Sequence, residues 1–170
     1  MGWFSSSISC AEAGKRLANN CIVMLKPYTN KDSLDISELL ALAIIAHRLA
    51  IFNSRLTQEQ ISSVVRYFDA NIGEDFDLSK WGELFDNRAD IYVSLFNRHL
   101  SAIRQGNNRL FANELMRLFE QYNSGYDDSP TSPTVLHNYG DLNRPGEIAV
   151  IIFTSSFSDT VEQLKNWKIS

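Results

Sequence analysis

Residues 35–53 read DISELLALAIIAHRLAIFN, and how this stretch folds decides the architecture of the whole chain. From Leu39 to Phe52 nearly every position is apolar, with His47 and Arg48 as the exceptions. A helix that is apolar on all sides has no face to give to water and belongs in the middle of a bundle. Its start is marked twice. Asp35 is placed to cap the free backbone N–H groups while Glu38 reaches back, and Leu34 and Leu39 have the spacing of a hydrophobic staple. The pattern predicts a buried central helix over residues 36–53. The longest unbroken apolar run, Leu39 to Ala46, is far short of the ~20 residues that cross a bilayer, so no membrane segment is expected.

Helical periodicity continues on both sides. Upstream, Cys10, Ala13, Leu17, Cys21 and Met24 recur at steps of three and four. Ser9 and Glu12 form a capping box before them, and Pro27 stops the pattern, so residues 10–25 read as a helix. Downstream, Thr57 and Gln60 form another capping box, with Leu56 and Ile61 as its staple. Ile61, Val64, Val65 and Phe68 then supply a buried face, and Gly73 reads as the stop. A fourth helix is expected from a cap at Asp77, with Phe76 against Trp81, to Gln105 and Gly106. A fifth is expected from a cap at Asn107 to Gly125, with Phe111, Leu115, Leu118, Phe119 and Tyr122 inside. Ser124 to Pro133 is rich in turn formers, and residues 124–134 read as a mobile loop. Pro145 suits a first helical turn, and Val150, Phe153, Phe157, Val161 and Leu164 carry a sixth stripe. Ile148 to Thr154 also has strand propensity, with Val135 to Tyr139 as a potential hairpin partner. An isolated hairpin is marginal, so the expectation is a long helix.

Composition sets the outer limits. A chain of 170 residues, 44% hydrophobic and 21% charged, is that of one ordinary globular domain covering residues 1–170. The net charge of −4 offers no global attraction for phosphate backbones or an anionic membrane surface, so a nucleic-acid role is not expected. Cys10 and Cys21 lie three helical turns apart, too far for a bridge within one helix. Without a Cys-x-x-Cys pair they read as packing thiols in a reducing compartment, which points to the cytoplasm. The N-terminal Met1-Gly2-Trp3-Phe4-Ser5-Ser6 lacks a secretory basic region. Gly2 with Ser6 fits a lipidation pattern only formally, because Trp3 suits it poorly.

Chemistry is thinly written. His47 and His99 both fall on apolar helical faces, where a histidine is ordinarily a hydrogen-bonded packing residue. An acid–base or metal-dependent enzyme would need both to converge, between the helix at 36–53 and that ending near Gln105, with a carboxylate from Glu83, Asp86 or, as the chosen candidate, Asp90. Neither a nucleophile elbow, nor a Gly-rich phosphate loop, nor an HExxH pair supports that chemistry. The connection 69–77 offers Asp69, Asn71, Asp75 and Asp77 at roughly alternate positions, as a calcium loop does. Its glycine is at the fifth place, and Lys80 stands where a bidentate glutamate belongs. A solvated turn is the plainer reading. Arg98, Arg104, Arg109 and Arg117 give 98–117 a local positive excess but span two helices and a turn. Arg88 breaks the apolar stripe of its own helix, as an edge residue or as the buried partner of an acid such as Glu38. Trp3, Phe4 and Trp167 are aromatic anchors for the chain itself or for a partner.

The expectation is therefore an all-α, compact bundle of five to six helices around the helix at 36–53, needing no cofactor. Functionally, the reading is an intracellular protein-interaction module: a regulator, an adaptor or an immunity-type inhibitor covering a basic target. Its partner is another protein or a second copy of the chain. The acid–base or metal-dependent enzyme and a divalent-ion-binding module are the alternatives.

Overall fold

The computed structural model describes residues 7–32, 34–76, 82–123 and 144–170. Its centre is helix α2, Ile36–Phe52, of which thirteen residues are buried. The other described helices are α1 (Cys10–Leu25), α3 (Gln58–Asp75), α4 (Gly82–Arg104), α5 (Arg109–Tyr122) and α6 (Pro145–Asn166), with a short 3-10 turn at Lys26–Tyr28. The described residues thus form the expected all-α bundle, with six helices. No helix among the described residues is long and apolar enough to cross a membrane.

The helices pack around α2 in two groups. On one side α1 lies along α3, and on the other α4, α5 and α6 share an aromatic layer. In that layer Phe96 lies 5.1 Å from Phe157 and 6.3 Å from Phe111, and Phe111 lies 5.0 Å from Phe153, between ring centroids. These tilted and edge contacts are the arrangement that aromatic quadrupoles favour. The α1–α3 contact is closer than side chains normally allow. A methyl group at Gly14 would stand 2.7 Å from Val64 O and from Tyr67 Cβ. Glycine is required there because its bare Cα is the contact surface.

Helix starts follow the expected grammar with instructive departures. Thr57 and Gln60 make both halves of their capping box. Ser9 Oγ accepts from Glu12 N at 3.1 Å, but the Glu12 carboxylate turns to Arg16 at 2.7 Å, so that box is half made. Asp35 caps α2 as expected, accepting from Ser37 N and Glu38 N. Glu38 does not reach back. Its carboxylate is used elsewhere, and Asn123 Oδ1 accepts from Asp35 N at 2.7 Å in its place.

Other boundaries are corrected for physical reasons. Gly73 does not end α3, which runs on to Asp75 and closes with Phe76 N donating to Ile72 O. Phe76, just past the helix end, packs against the core, and the ~1 kcal/mol that an interior glycine costs does not prevent the extension. Asn107 does not cap α5. Its N–H reaches back to Ala102 O at 2.9 Å while Gly106, at φ 77°, donates to Ile103 O, a Schellman closure that consumes Asn107 in ending α4. Asn108 takes the cap position with no side-chain bond. Residues 148–154 are helical, so no hairpin forms from them; its proposed partner 135–139, the loop at 124–134 and Gly125 lie outside the described residues. One feature was not expected. Ser7–Ile8 (β1) and Lys168–Ile169 (β2) form a two-residue parallel ladder, extended by Ser170 N donating to Ile8 O at 3.0 Å.

Replacing Gly14 with alanine tests the close approach. On an exposed helix face that change stabilises by up to ~1 kcal/mol. Here it is expected to destabilise by about 1–3 kcal/mol through overpacking, read from urea unfolding.

Candidate functional site

Three buried or half-buried polar assemblies are built on α2, each joining it to one or two neighbouring helices. The first is centred on Glu38, whose residue is 1% exposed. Arg88 of α4 donates through Nε to Glu38 Oε1 at 2.9 Å and Oε2 at 2.8 Å, and Tyr92 donates its hydroxyl to Oε1 at 2.7 Å. The Arg88 guanidinium lies 3.7 Å from the centroid of the Tyr122 ring of α5. Burial pushes the Glu38 carboxyl above its ordinary range, opposed by the Tyr92 and Arg88 hydrogen bonds. Burial is also the main reason that the Tyr92 hydroxyl is pushed up, with the Glu38 charge adding to it.

The second assembly is His47. Its ring lies 5.3 Å from that of Phe68 on α3, and Nδ1 shares a 2.6 Å hydrogen bond with Thr160 Oγ1 on α6. Nε2 has no hydrogen-bond partner among the described residues. Burial alone lowers the His47 pKa to about 3, so the ring is neutral at any physiological pH. The third is Arg48, which grips Asp69 of α3 through Nε at 3.1 Å and Nη2 at 2.6 Å and lies over the Phe85 ring at 4.7 Å.

These placements separate the residues that the sequence offered for catalysis. His47 points to α3 and α6. His99 belongs to the α4–α5 contact, with Nε2 3.2 Å from Glu114 Oε1, near enough for an ion pair but not aligned as a hydrogen bond. Asp90 is exposed and lies nine residues before His99 on α4, which at helical rise is about 13.5 Å. His47, His99 and Asp90 therefore form no shared constellation. The ion-binding set is divided as well. Asp69 and Asn71 lie on helix α3, where Asp69 is bound by Arg48 and Asn71 Nδ2 donates to Tyr67 O at 2.7 Å. Asp75 is the last residue of that helix, and Asp77 lies outside the described residues. The members up to Asp75 lie on a helix and not in a loop. Among the described residues no group of three His, Cys, Asp or Glu is placed to hold a metal ion.

The interaction candidates fare unevenly. Trp3 and Phe4 lie outside the described residues. Trp167 is half-buried against its own core, with the Arg16 guanidinium 5.9 Å from the ring centroid, so its anchoring is internal. Arg98, Arg104, Arg109 and Arg117 are exposed and all lie on the α4–α5 hairpin. An open cleft of about 800 Å³ lies where α1 and α3 begin, lined by Ser9, Cys10, Gln60, Ser62, Arg66 and Tyr67 among others. Cys21, by contrast, is sealed in the core, where burial pushes its thiol up to about 12.

Sequence reasoning reached the Glu38–Arg88 pair through the one arginine in an apolar stripe. It missed Tyr92, Tyr122 and Thr160, because a tyrosine or threonine on an apolar face carries no signal of what its hydroxyl or ring will meet. No protein-family model, curated protein or solved structure matches the chain.

Two outcomes follow from this interior. Arg88→Met is expected to cost about 3–5 kcal/mol in chemical denaturation, because it leaves Glu38 as a buried carboxylate without its cation. Pairing it with Glu38→Leu is expected to restore much of that loss. For His47, the unfolded chain binds a proton below about pH 6.5 while the folded chain stays neutral down to about 3. Stability from this group is thus complete above pH 6.5 and is lost as pH falls through that window, by up to ~1.4 kcal/mol per unit. The wild type minus His47→Gln difference in urea stability, measured from pH 7 to pH 4, is expected to show that one-proton slope.

Proposed function

We propose that this chain is a non-catalytic protein-interaction module acting in the cytoplasm as a regulator or adaptor. What carries the reading is where the polar side chains are used. Glu38, His47 and Asp69, the side chains nearest to usable acid–base or ligand chemistry, each hold α2 to a neighbouring helix. A buried group fixed by an internal partner is poorly placed to meet a substrate. The surface is different, since Arg104, Arg109 and Arg117 have no ion-pair partner among the described residues, and Leu110 is 62% exposed. Arginine beside an apolar side chain is the residue chemistry that protein interfaces favour. The partner is another protein or a second copy of the chain.

Affinity capture of the tagged chain from its native lysate, followed by mass spectrometry, tests this reading, with light scattering on the pure protein beside it. One partner in stoichiometric amount, or a stable dimer mass, is expected. A strict monomer that captures nothing rejects it.

A further inference from the structure

Folding α4 back against α5 does to the arginines what the sequence alone does not. His99 faces Glu114, Phe96 faces Phe111 and Arg88 faces Tyr122, so the two helices run antiparallel through their length. Arg104 closes α4 and Arg109 opens α5, with only the tight turn at Gly106 between them. Arg98 reaches across to Glu114 Oε2 at 3.0 Å, and Arg117 follows Glu114 by three residues, hence on the same face of α5. Four exposed arginines and the exposed Leu110 therefore lie on one hairpin, Arg104, Arg109 and Leu110 at its turn and Arg98 and Arg117 further along its two helices; among the described residues Glu114 is the acid that contacts them, through Arg98.

The start of α5 adds to this charge instead of offsetting it. Helices α1, α2 and α3 each begin with a side-chain cap and an acid in the first turn. Helix α5 has neither, and Arg109 sits on its positive end. The positive field there is left unneutralised within the described fold.

We propose that the α4–α5 hairpin is the docking surface for an acidic segment of a protein partner, with Arg104, Arg109 and Arg117 pairing its carboxylates and Leu110 seating an apolar side chain. This names the partner chemistry for the interaction reading above and rests on it. Guanidinium groups match carboxylates as two-pronged donors. A short acidic segment senses chiefly the charges within a Debye length, about 8–10 Å, and so sees the arginines. A long nucleic acid also meets the rest of a chain of net charge −4. Arg98, already held by Glu114, takes part by keeping that one opposing carboxylate occupied.

The test uses fluorescence anisotropy with a short labelled glutamate-rich peptide carrying a central leucine pair, and a single-stranded oligonucleotide of equal charge. The full chain is compared with Arg104→Glu/Arg109→Glu and with the remote Lys165→Glu/Lys168→Glu. The peptide is expected to bind the wild type and the lysine variant alike, and to lose about tenfold or more on the arginine variant. Equal weakening by both double variants, no binding to the wild type, or tighter binding of the oligonucleotide at the same arginines each overturns the proposal. The last outcome assigns the hairpin to nucleic acid. A stoichiometric lysate partner that is still captured by Arg104→Glu/Arg109→Glu overturns the hairpin assignment while leaving the interaction reading intact.

Discussion

A carboxylate placed inside an apolar helix has to be met by donors, and meeting Glu38 positions much of this bundle. Removing it from water raises the free energy of its charged form, and the compensation comes from Arg88 and Tyr92 on α4. Arg88 in turn lies over the Tyr122 ring of α5, so one buried charge ties three helices together at a defined register. The same diversion of Glu38 leaves the backbone N–H of Asp35 to be met by Asn123 from the end of α5. Apolar packing supplies most of the stabilisation of such a core, but it is tolerant of sliding. A buried ion pair with a shared N–H and a cation–ring contact are less so.

How much of this could be read from the residues follows from the range of the interactions involved. Local rules placed α1, α2 and the start of α3 closely, because capping and periodicity act within a few positions. They failed where a second use of the same residue prevailed. Gly73 looked like a stop, but the helix runs past it to Asp75 with Phe76 packed on the core just beyond, and Glu38 looked like half of a capping box until Arg88 claimed it. Asn107 looked like a cap for the helix that follows but closes the one before. Glu38 was claimed from fifty residues away, whereas Asn107 was contested between two adjacent helices.

The candidate surface was half legible for the same reason. The excess of arginine over 98–117 is plain in the sequence. Its concentration on one hairpin depends on the antiparallel packing of α4 on α5, which no local rule specifies. The histidines show the converse: two residues that could have met are divided, because α2 spends His47 on α3 and α6 while α4 spends His99 on α5.

The small ladder between β1 and β2 has a consequence for how the chain assembles. It joins residues about 160 positions apart, as in the bond between Ser7 and Ser170. At synthesis rates of about 5–20 residues per second, the first strand waits roughly 8–30 seconds after leaving the ribosome for its partner to be made. Helices α1 to α3 can collapse on one another in that interval, since α1 meets α3 and α2 earlier in the chain. The clasp is therefore a late event, and the bundle closes through a contact between residues far apart in the sequence.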